Sequence, residues 1–355
     1  MGLNAFKRIL ERYKLIGVFE NQRVLVLGGT GSLGSALIKV LLNGQYGSPK
    51  RVIVFSRDEA KQHEMQVSYL GNLNETDSIS YRFAKEKLGF AIGDVRDKNS
   101  LLRVVPEADI VIYASAMKHV PACEYFPWQA IQTNIIGVNN VIEVAQRSEV
   151  KTLVGVSTDK AVLPLNVMGM TKALQEKLVI QSNLNIGSPR SVVVRYGNVI
   201  ASRGSVIPLF KHQISRDMPI TLTDINMTRF LLTLDDAVSI IVKAINLGLR
   251  GETFIPAAPS ARMIDLIEIL AMEKKIEIVE IGRRPGEKIH ELLFSEEEAK
   301  RTLKVDDASY RITPALPEFE NILIPKEVCQ GEFSSADHTL SKEELKEFLR
   351  LRQVI

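Results

Sequence analysis

Thr158-Asp159-Lys160 sets a hydroxyl, a carboxylate and an amine side by side, directly after the apolar run Leu153-Val154-Gly155-Val156-Ser157. Met168 follows eight residues beyond Lys160, and Lys172 stands four further on, so Met168 and Lys172 share one face of a helix. An adjacent acid and base can take a carbon-bound proton and expel a hydroxyl from the neighbouring carbon. For an amine to act as that base its pKa must fall from about 10.4 toward about 7–8, which burial and a cationic neighbour such as Lys172 favour. A surface-exposed Asp-Lys pair is the plain alternative, but this pair caps a strand-like run, where ligands of parallel sheets gather.

A second group of residues points to the ligand. Val24-Leu25-Val26-Leu27 runs into Gly28-Gly29-Thr30-Gly31-Ser32-Leu33-Gly34, a strand that enters a glycine turn and opens a helix. Such a turn gives the backbone close access to a pyrophosphate, and the helix N-terminus offers free N–H groups to it. A lone glycine motif is weak evidence; the strand–turn–helix context makes it a dinucleotide site, with Gly28, Thr30, Gly31, Ser32, Leu33 and Gly34 at the phosphates. At the end of the next strand stand Ser56 and Arg57, then Asp58 and Lys61. Hydroxyl, guanidinium and ammonium suit a 2′-phosphate, so the expected cofactor is NADP rather than NAD. Asp94 and Val95 end a third strand, where an acid can accept from the adenine amine. Ala114, Ser115 and Ala116 end a fourth, where small side chains let the cofactor lie against the backbone.

The elements that must position these groups follow from hydrophobic patterning. Strands are expected at 23–28, 51–55, 88–93, 109–114, 151–157 and 191–196, with helices near 32–43, 58–70, 128–147 and 168–183. This alternation implies an α/β fold, a Rossmann-type doubly wound parallel sheet with helices on both faces. After Asn198 the pattern breaks around Gly204, Pro208 and Pro219, and helices are expected at Ile207–Ser215, Leu234–Leu247, Met263–Ala271 and Lys342–Leu351. The expected organisation is a dinucleotide-binding domain over 21–199, completed by 228–258, and a smaller substrate lobe over 200–227 and 259–355. Residues 1–20 read as an amphipathic helical extension carrying Phe6, Ile9, Leu10, Tyr13 and Ile16, packed on the body or on a neighbouring subunit.

Bulk composition narrows the partners. The 355 residues carry 45 basic and 42 acidic side chains, a net charge of +3, which makes no case for nucleic acid or a membrane surface. Cys123 and Cys329 lie far apart and form no CxxC pair, the usage of a reducing compartment. No apolar run approaches 18 residues, so a cytoplasmic protein without membrane insertion is expected.

Taken together, these stretches resemble an extended short-chain dehydrogenase/reductase of the UDP-N-acetylglucosamine 4,6-dehydratase group. The resemblance rests on Gly28–Gly34, Ser56–Met65, Lys118–Pro127, Ser157–Lys172, Gly197–Phe210, Met227–Phe230 and Arg284–Glu291, and covers residues 21 to about 300. Met168 stands where the wider superfamily has the tyrosine of a YxxxK motif, a replacement known within this group. A thioether transfers no proton, so Met168 marks the tyrosine position while Lys172 still holds the nicotinamide ribose. The resemblance implies a redox-neutral cycle: oxidation at sugar C4, abstraction of the C5 proton by Lys160, protonation of the departing C6 hydroxyl by Asp159, and reduction at C6. Thr158 would donate to the developing enolate oxygen. For the C4-hydroxyl base, Thr158, Asp159 and a water chain from Lys172 stay open.

Lys118–Pro127 and Ala201–Pro208 resemble the C5-inverting capsular members, whose products enter bacterial capsule or O-antigen synthesis. The donor for reprotonation on the opposite face is not identified; His119 and Cys123 are conceivable, though a buried structural role is expected of both. For the UDP-sugar the expected contacts are Lys118, Asn198, Arg203, Val206, Arg229, Arg284 and Glu287. Guanidiniums suit a diphosphate, and Glu287 would accept from ribose hydroxyls. A homo-oligomer is expected by analogy. Rival readings are a retaining dehydratase, a UDP-hexose epimerase, and an inert nucleotide-sensing protein disabled at Met168.

Overall fold

The computed structural model describes residues 15–71, 86–185, 187–200, 206–272, 274, 276–319, 328–352 and 354–355. Its centre is a nine-stranded sheet built from β1 (Arg23–Leu27), β2 (Arg51–Ser56), β3 (Leu88–Ile92), β4 (Ile110–Tyr113), β5 (Thr152–Thr158), β6 (Arg190–Tyr196), β7 (Thr253–Pro256), β8 (Thr302–Asp306) and β9 (Ser309–Ile312). The spatial order is β3-β2-β1-β4-β5-β6-β7-β9-β8. β3 through β7 run parallel, with Val24 opposite both Val52 and Ile110, and Val154 opposite Val192. β9 and β8 close that edge antiparallel.

The strands are near-continuous runs of Val, Ile and Leu because both faces are covered. On one face pack the helices Ser32–Leu42 and Leu234–Leu247, through Leu37, Ile38, Val238 and Ile241. On the other pack Gly137–Ala145 and Val167–Gln181, through Val138, Val141, Ile142 and Val179. The order reverses between β1 and β4, the place where such sheets open a crevice for ligands.

A further apolar cluster lies outside these layers. Ile207 and Phe210 of the helix Val206–Ser215 meet Leu266 and Leu270 of Met263–Ala271, and Leu345 and Leu349 of Lys342–Leu351. Two details depart from expectation. The β8–β9 hairpin, assigned by sequence to the substrate lobe, extends the large sheet, because β7 presents an open edge that its main-chain groups pair. Thr228–Leu232, assigned to the nucleotide-binding domain, instead joins a three-stranded sheet with Asn198–Val199 and Ser260–Arg262.

Of the expected N-terminal helix, residues 1–14 lie outside the described residues, and 15–20 form turns. Leu15 and Phe19 are buried there, whereas Ile16, placed by periodicity on the packed face, is 66% exposed.

Candidate functional site

A cleft of about 850 Å³ opens along the C-terminal ends of β1, β2, β4, β5 and β6. The glycine turn forms one end. Gly28 has φ +84°, and a Cβ there would lie 2.8 Å from the Ser115 backbone nitrogen; one on Gly34 would lie 2.5 Å from the Gly28 carbonyl oxygen. The turn therefore packs backbone on backbone, leaving Gly31, Ser32, Leu33 and Gly34 on the cleft wall. That bare cradle at a helix start fits a dinucleotide pyrophosphate. Thr30 is buried, 8% exposed, and the Ser115 backbone packs against Gly28, while Ala114 and Ala116 line the cleft.

At the end of β2 the expected 2′-phosphate set divides. Arg57 lines the cleft, 60% exposed. Ser56 is buried, its Oγ accepting from Gln62 Nε2 at 3.1 Å, and Lys61 pairs with Asp58 rather than with the cleft. Asp58 also caps the helix Glu59–Gln66, accepting from the Lys61 backbone N–H at 3.0 Å. Their short spacing within one helical turn explains why Lys61 is spent locally.

Asp94 is gripped by Arg96, whose Nε and Nη2 donate at 2.9–3.0 and 2.6 Å, and Arg57 lies 3.7 Å away. Burial pushes this carboxyl up, but the Arg96 hydrogen bonds and charge outweigh it and hold the pKa below the ordinary value. Val95 points into the core against Gly137. Arg96 itself lines the cleft, a residue that the sequence reading did not single out.

The candidate reaction centre is built at the end of β5. Lys172 is buried on the helix Val167–Gln181, its Nζ donating to the Val156 carbonyl at 2.7 Å and to Gln175 Oε1 at 2.9 Å. Burial lowers its pKa to about 8. Met168, 4% exposed, packs with Cys123 and Ala130, and both Met168 and Lys172 line the cleft as their shared helix face requires. Asn166 caps that helix, accepting from the Gly169 N–H at 2.8 Å. A Cβ on Gly169 would lie 2.3 Å from the Lys160 carbonyl oxygen, so glycine is what lets this helix seat against the Asp159–Ala161 turn.

Asp159 is wholly buried behind the wall. Its Oδ1 accepts from Thr158 Oγ1 at 2.8 Å and from Lys160 Nζ at 3.0 Å, while Oδ2 has no hydrogen-bond partner among the described residues. Burial, reinforced by the nearby Glu291 charge, raises its pKa despite Lys160 and Thr158. Lys160 lines the cleft, its Nζ also 3.3 Å from Asn198 Oδ1 and 3.2 Å from Glu291 Oε1.

The expectation of a depressed Lys160 pKa is overturned. Burial does oppose the ammonium, but Asp159 and Glu291 outweigh it and raise the pKa. Two carboxylates within hydrogen-bond reach stabilise a cation more than desolvation penalises it.

Glu291 was missed by the sequence reading. It sits just before the strand Leu292–Phe294 and is 2% exposed. Burial pushes its pKa up, and Lys160, Arg229 and Lys288 more than reverse this. The only local signal was its place at the end of the Arg284–Glu291 stretch; its contact with Lys160 spans more than a hundred residues.

The expected substrate contacts also divide. Lys118, Asn198 and Val206 line the cleft. Arg229 is buried with its donors on the Thr228, Ile289 and Lys288 carbonyls at 2.7, 3.0 and 3.1 Å, so it straps the 288–291 segment rather than facing the cleft. Arg284 is exposed, and Glu287 accepts the Arg284 backbone N–H at 3.2 Å. Their turn is tied to the reaction centre through Gly286, whose carbonyl accepts from Asn166 Nδ2 at 2.8 Å. Arg203 lies outside the described residues. Cys123 is buried and its thiol is pushed up to about 11 by burial, in keeping with a structural part, but His119 is exposed on the cleft, contrary to the burial expected of it.

Comparison with known proteins places these features among relatives. Residues 24–313 match the family model described as polysaccharide biosynthesis protein. The chain is 40% identical to a UDP-N-acetylglucosamine 4,6-dehydratase (inverting) of Campylobacter jejuni serotype O:23/36, over 84% of this chain and 85% of the relative. It is also 40% identical to a UDP-glucose 4-epimerase of Rickettsia conorii, over 83% and 84%. The crystal structure of Pen from Bacillus thuringiensis superposes with a TM-score of 0.84 at 33% identity, covering 95% of this chain and 99% of that one.

Proposed function

The chain belongs to the polysaccharide biosynthesis protein family, and from that premise we propose that it is an NADP-dependent, C5-inverting UDP-N-acetylglucosamine 4,6-dehydratase. The observation that carries this reading is the trio at the end of β5: buried Asp159, held toward its protonated form, hydrogen-bonded to both Thr158 and the cleft lysine Lys160. The identity to the inverting Campylobacter relative supports it. An epimerase of the same pocket would leave this acid–base pair idle, although the Rickettsia relative keeps that second reading in view.

When bound, NADP would accept hydride from sugar C4, the C4-hydroxyl proton passing to Thr158, Asp159 or a water chain from Lys172, and would return the hydride at C6 as a proton returns to C5. The remaining work falls to the chain. Gly28–Gly34 would hold the pyrophosphate, Arg57 the 2′-phosphate, and Lys172 the nicotinamide ribose. Thr158, whose hydroxyl donates to Asp159 Oδ1, would turn to the C4 oxygen as negative charge builds there, once Asp159 carries a proton. Lys160 would take the C5 proton, and Asp159, buried behind the wall and in touch with the cleft through Thr158 and Lys160, would supply the proton on which the C6 hydroxyl leaves as water. Asn198, Lys118 and Val206 would face the UDP-sugar. NADP over NAD rests on Arg57, since Ser56 and Lys61 are otherwise engaged.

We assign the lobe around Ile207, Phe210, Leu266 and Leu345 to substrate binding, and the nine-stranded layer to the cofactor. A homo-oligomer belongs to the reading, supported by the exposed Tyr125 and Trp128; light scattering tests it. So does a cytoplasmic place in capsule or O-antigen synthesis; no helix among the described residues is long and apolar enough to cross a membrane.

The deciding experiment incubates the protein with NADP and UDP-N-acetylglucosamine in deuterated water and follows proton NMR. A 6-deoxy-4-keto sugar with deuterium at C5 is expected, with ring couplings of the inverted configuration. Couplings of the starting configuration would make the enzyme a retaining one, and an epimerised sugar keeping its C6 hydroxyl would sink the proposal.

A further inference from the structure

Lys160 presents a problem that the reaction must solve. As the C5 base it needs a lone pair, yet it is flanked by Asp159 at 3.0 Å and Glu291 at 3.2 Å, surroundings that favour the ammonium. Asp159 is wholly buried beside it, and a carboxyl that is to protonate a leaving hydroxyl must itself carry a proton. Glu291 is the other group in contact.

Resting on the dehydratase reading, we propose that Glu291 is a positioning residue that acts through Lys160, taking the ammonium proton so that the amine can receive the C5 proton. The transfer breaks one N–H bond of Lys160 and forms one O–H bond on Glu291. No electron pair leaves the pair, and a buried ion pair becomes two neutral groups. With Asp159 already protonated before the step, amine base and carboxylic acid stand together, and the transfer itself draws no proton from solvent.

The geometry is built for this. Glu291 is fixed from both sides by Ser335: the Glu291 N–H donates to Ser335 Oγ at 2.9 Å, and its carbonyl accepts from the Ser335 N–H at 2.9 Å. Arg229 straps the preceding carbonyls and keeps its Nε 3.9 Å from Glu291 Oε1. Glu291 Oε2, buried, has no hydrogen-bond partner among the described residues. A fully satisfied structural ion pair would not leave it so; the Lys160 proton would arrive on Oε1, the oxygen 3.2 Å from Nζ, with Oε2 left as the spare acceptor. The charged groups acting on Glu291 are Lys160 and Asp159 from the β5 turn, Arg229 from Thr228–Leu232, and Lys288 from its own segment. The three cations keep the carboxylate ionised until Lys160 hands over its proton.

The test compares Glu291→Gln and Glu291→Asp with the wild-type chain, using NADP and UDP-N-acetylglucosamine from pH 6.5 to 10. Glu291→Gln keeps size and a hydrogen-bond acceptor but accepts no proton. Its kcat at pH 7 is expected to fall about 10²-fold with KM and NADP affinity nearly unchanged, because loss of the Glu291 charge lets Asp159 ionise and hold Lys160 as the ammonium. Its activity relative to wild type should then climb with pH as Lys160 loses its proton to solvent, the ratio cancelling the Lys172 titration near pH 8 that both proteins share. Glu291→Asp should keep the wild-type pH profile and a larger share of the rate. Wild-type rate and profile in Glu291→Gln would overturn the inference, as would equal losses in both variants at every pH. Absence of 6-deoxy-4-keto product from the wild type itself would remove the functional reading beneath it.

Discussion

Two buried clusters in this molecule each place one cation between two carboxylates, and they are finished differently. Arg195, on β6, is 3% exposed and holds Glu176 and Glu298. Its Nε and Nη2 meet Glu176 at 3.0 and 2.6 Å, Nη1 and Nη2 meet Glu298 at 2.8 and 2.9 Å, and Nη1 also donates to the Leu293 carbonyl at 2.9 Å. Every guanidinium donor is spent. One strand away, Lys160 sits between Asp159 and Glu291, and each carboxylate keeps one oxygen without a hydrogen-bond partner among the described residues. A planar fork that cannot lose its proton makes a bolt, whereas an amine on the cleft wall with spare acceptor oxygens is the arrangement that the proposed proton transfer needs.

Four substitutions press on that contrast, beginning with the strongest effect. Lys160→Ala should lower dehydration about 10⁴-fold, near 5.5 kcal/mol in barrier, while NADP titration by fluorescence stays close to wild type. An unchanged turnover would take Lys160 out of the chemistry. Arg195→Met reverses the pattern: two carboxylates are left buried without their cation, so urea unfolding should report a loss of about 3–5 kcal/mol. Turnover per folded molecule should survive, and a selective loss of kcat with intact stability would make the Arg195 cluster functional after all.

Gly169→Ala separates geometry from charge. The new methyl meets the Lys160 carbonyl at 2.3 Å, so the turn must move. Displacement near 1 Å at a reacting group costs about 10²-fold, and kcat should fall by that order with only a small change in the urea midpoint. Arg57→Ala touches neither cluster. It should weaken NADP relative to NAD by about tenfold, read from kcat/KM with each cofactor, and equal loss for both cofactors would deny Arg57 the 2′-phosphate.

Most of the nucleotide half was legible in the chain because its signals are local. Val24–Leu27 needs only its own apolar run to be a buried strand, and Gly28–Gly34 needs only its own backbone freedom to be a turn. Lys61 shows the limit within a single helical turn: Asp58 at i−3 claims its ammonium, and the residue types alone did not reveal which charge would win. The arginines failed for a longer-range reason. Arg229 carries the donors of a phosphate ligand, yet packing turned them onto the backbone carbonyls of a segment sixty residues away.

The sequence by itself determined the strand–helix alternation, the glycine cradle, and the adjacency of Thr158, Asp159 and Lys160, all set by residues within a few positions of one another. It also made Met168 and Lys172 share a helix face. Only the tertiary structure decided what charge Lys160 carries, because that depends on Glu291 reaching it from the far side of the chain. A lysine's protonation follows the field around it, and that field is assembled from segments far apart in the chain.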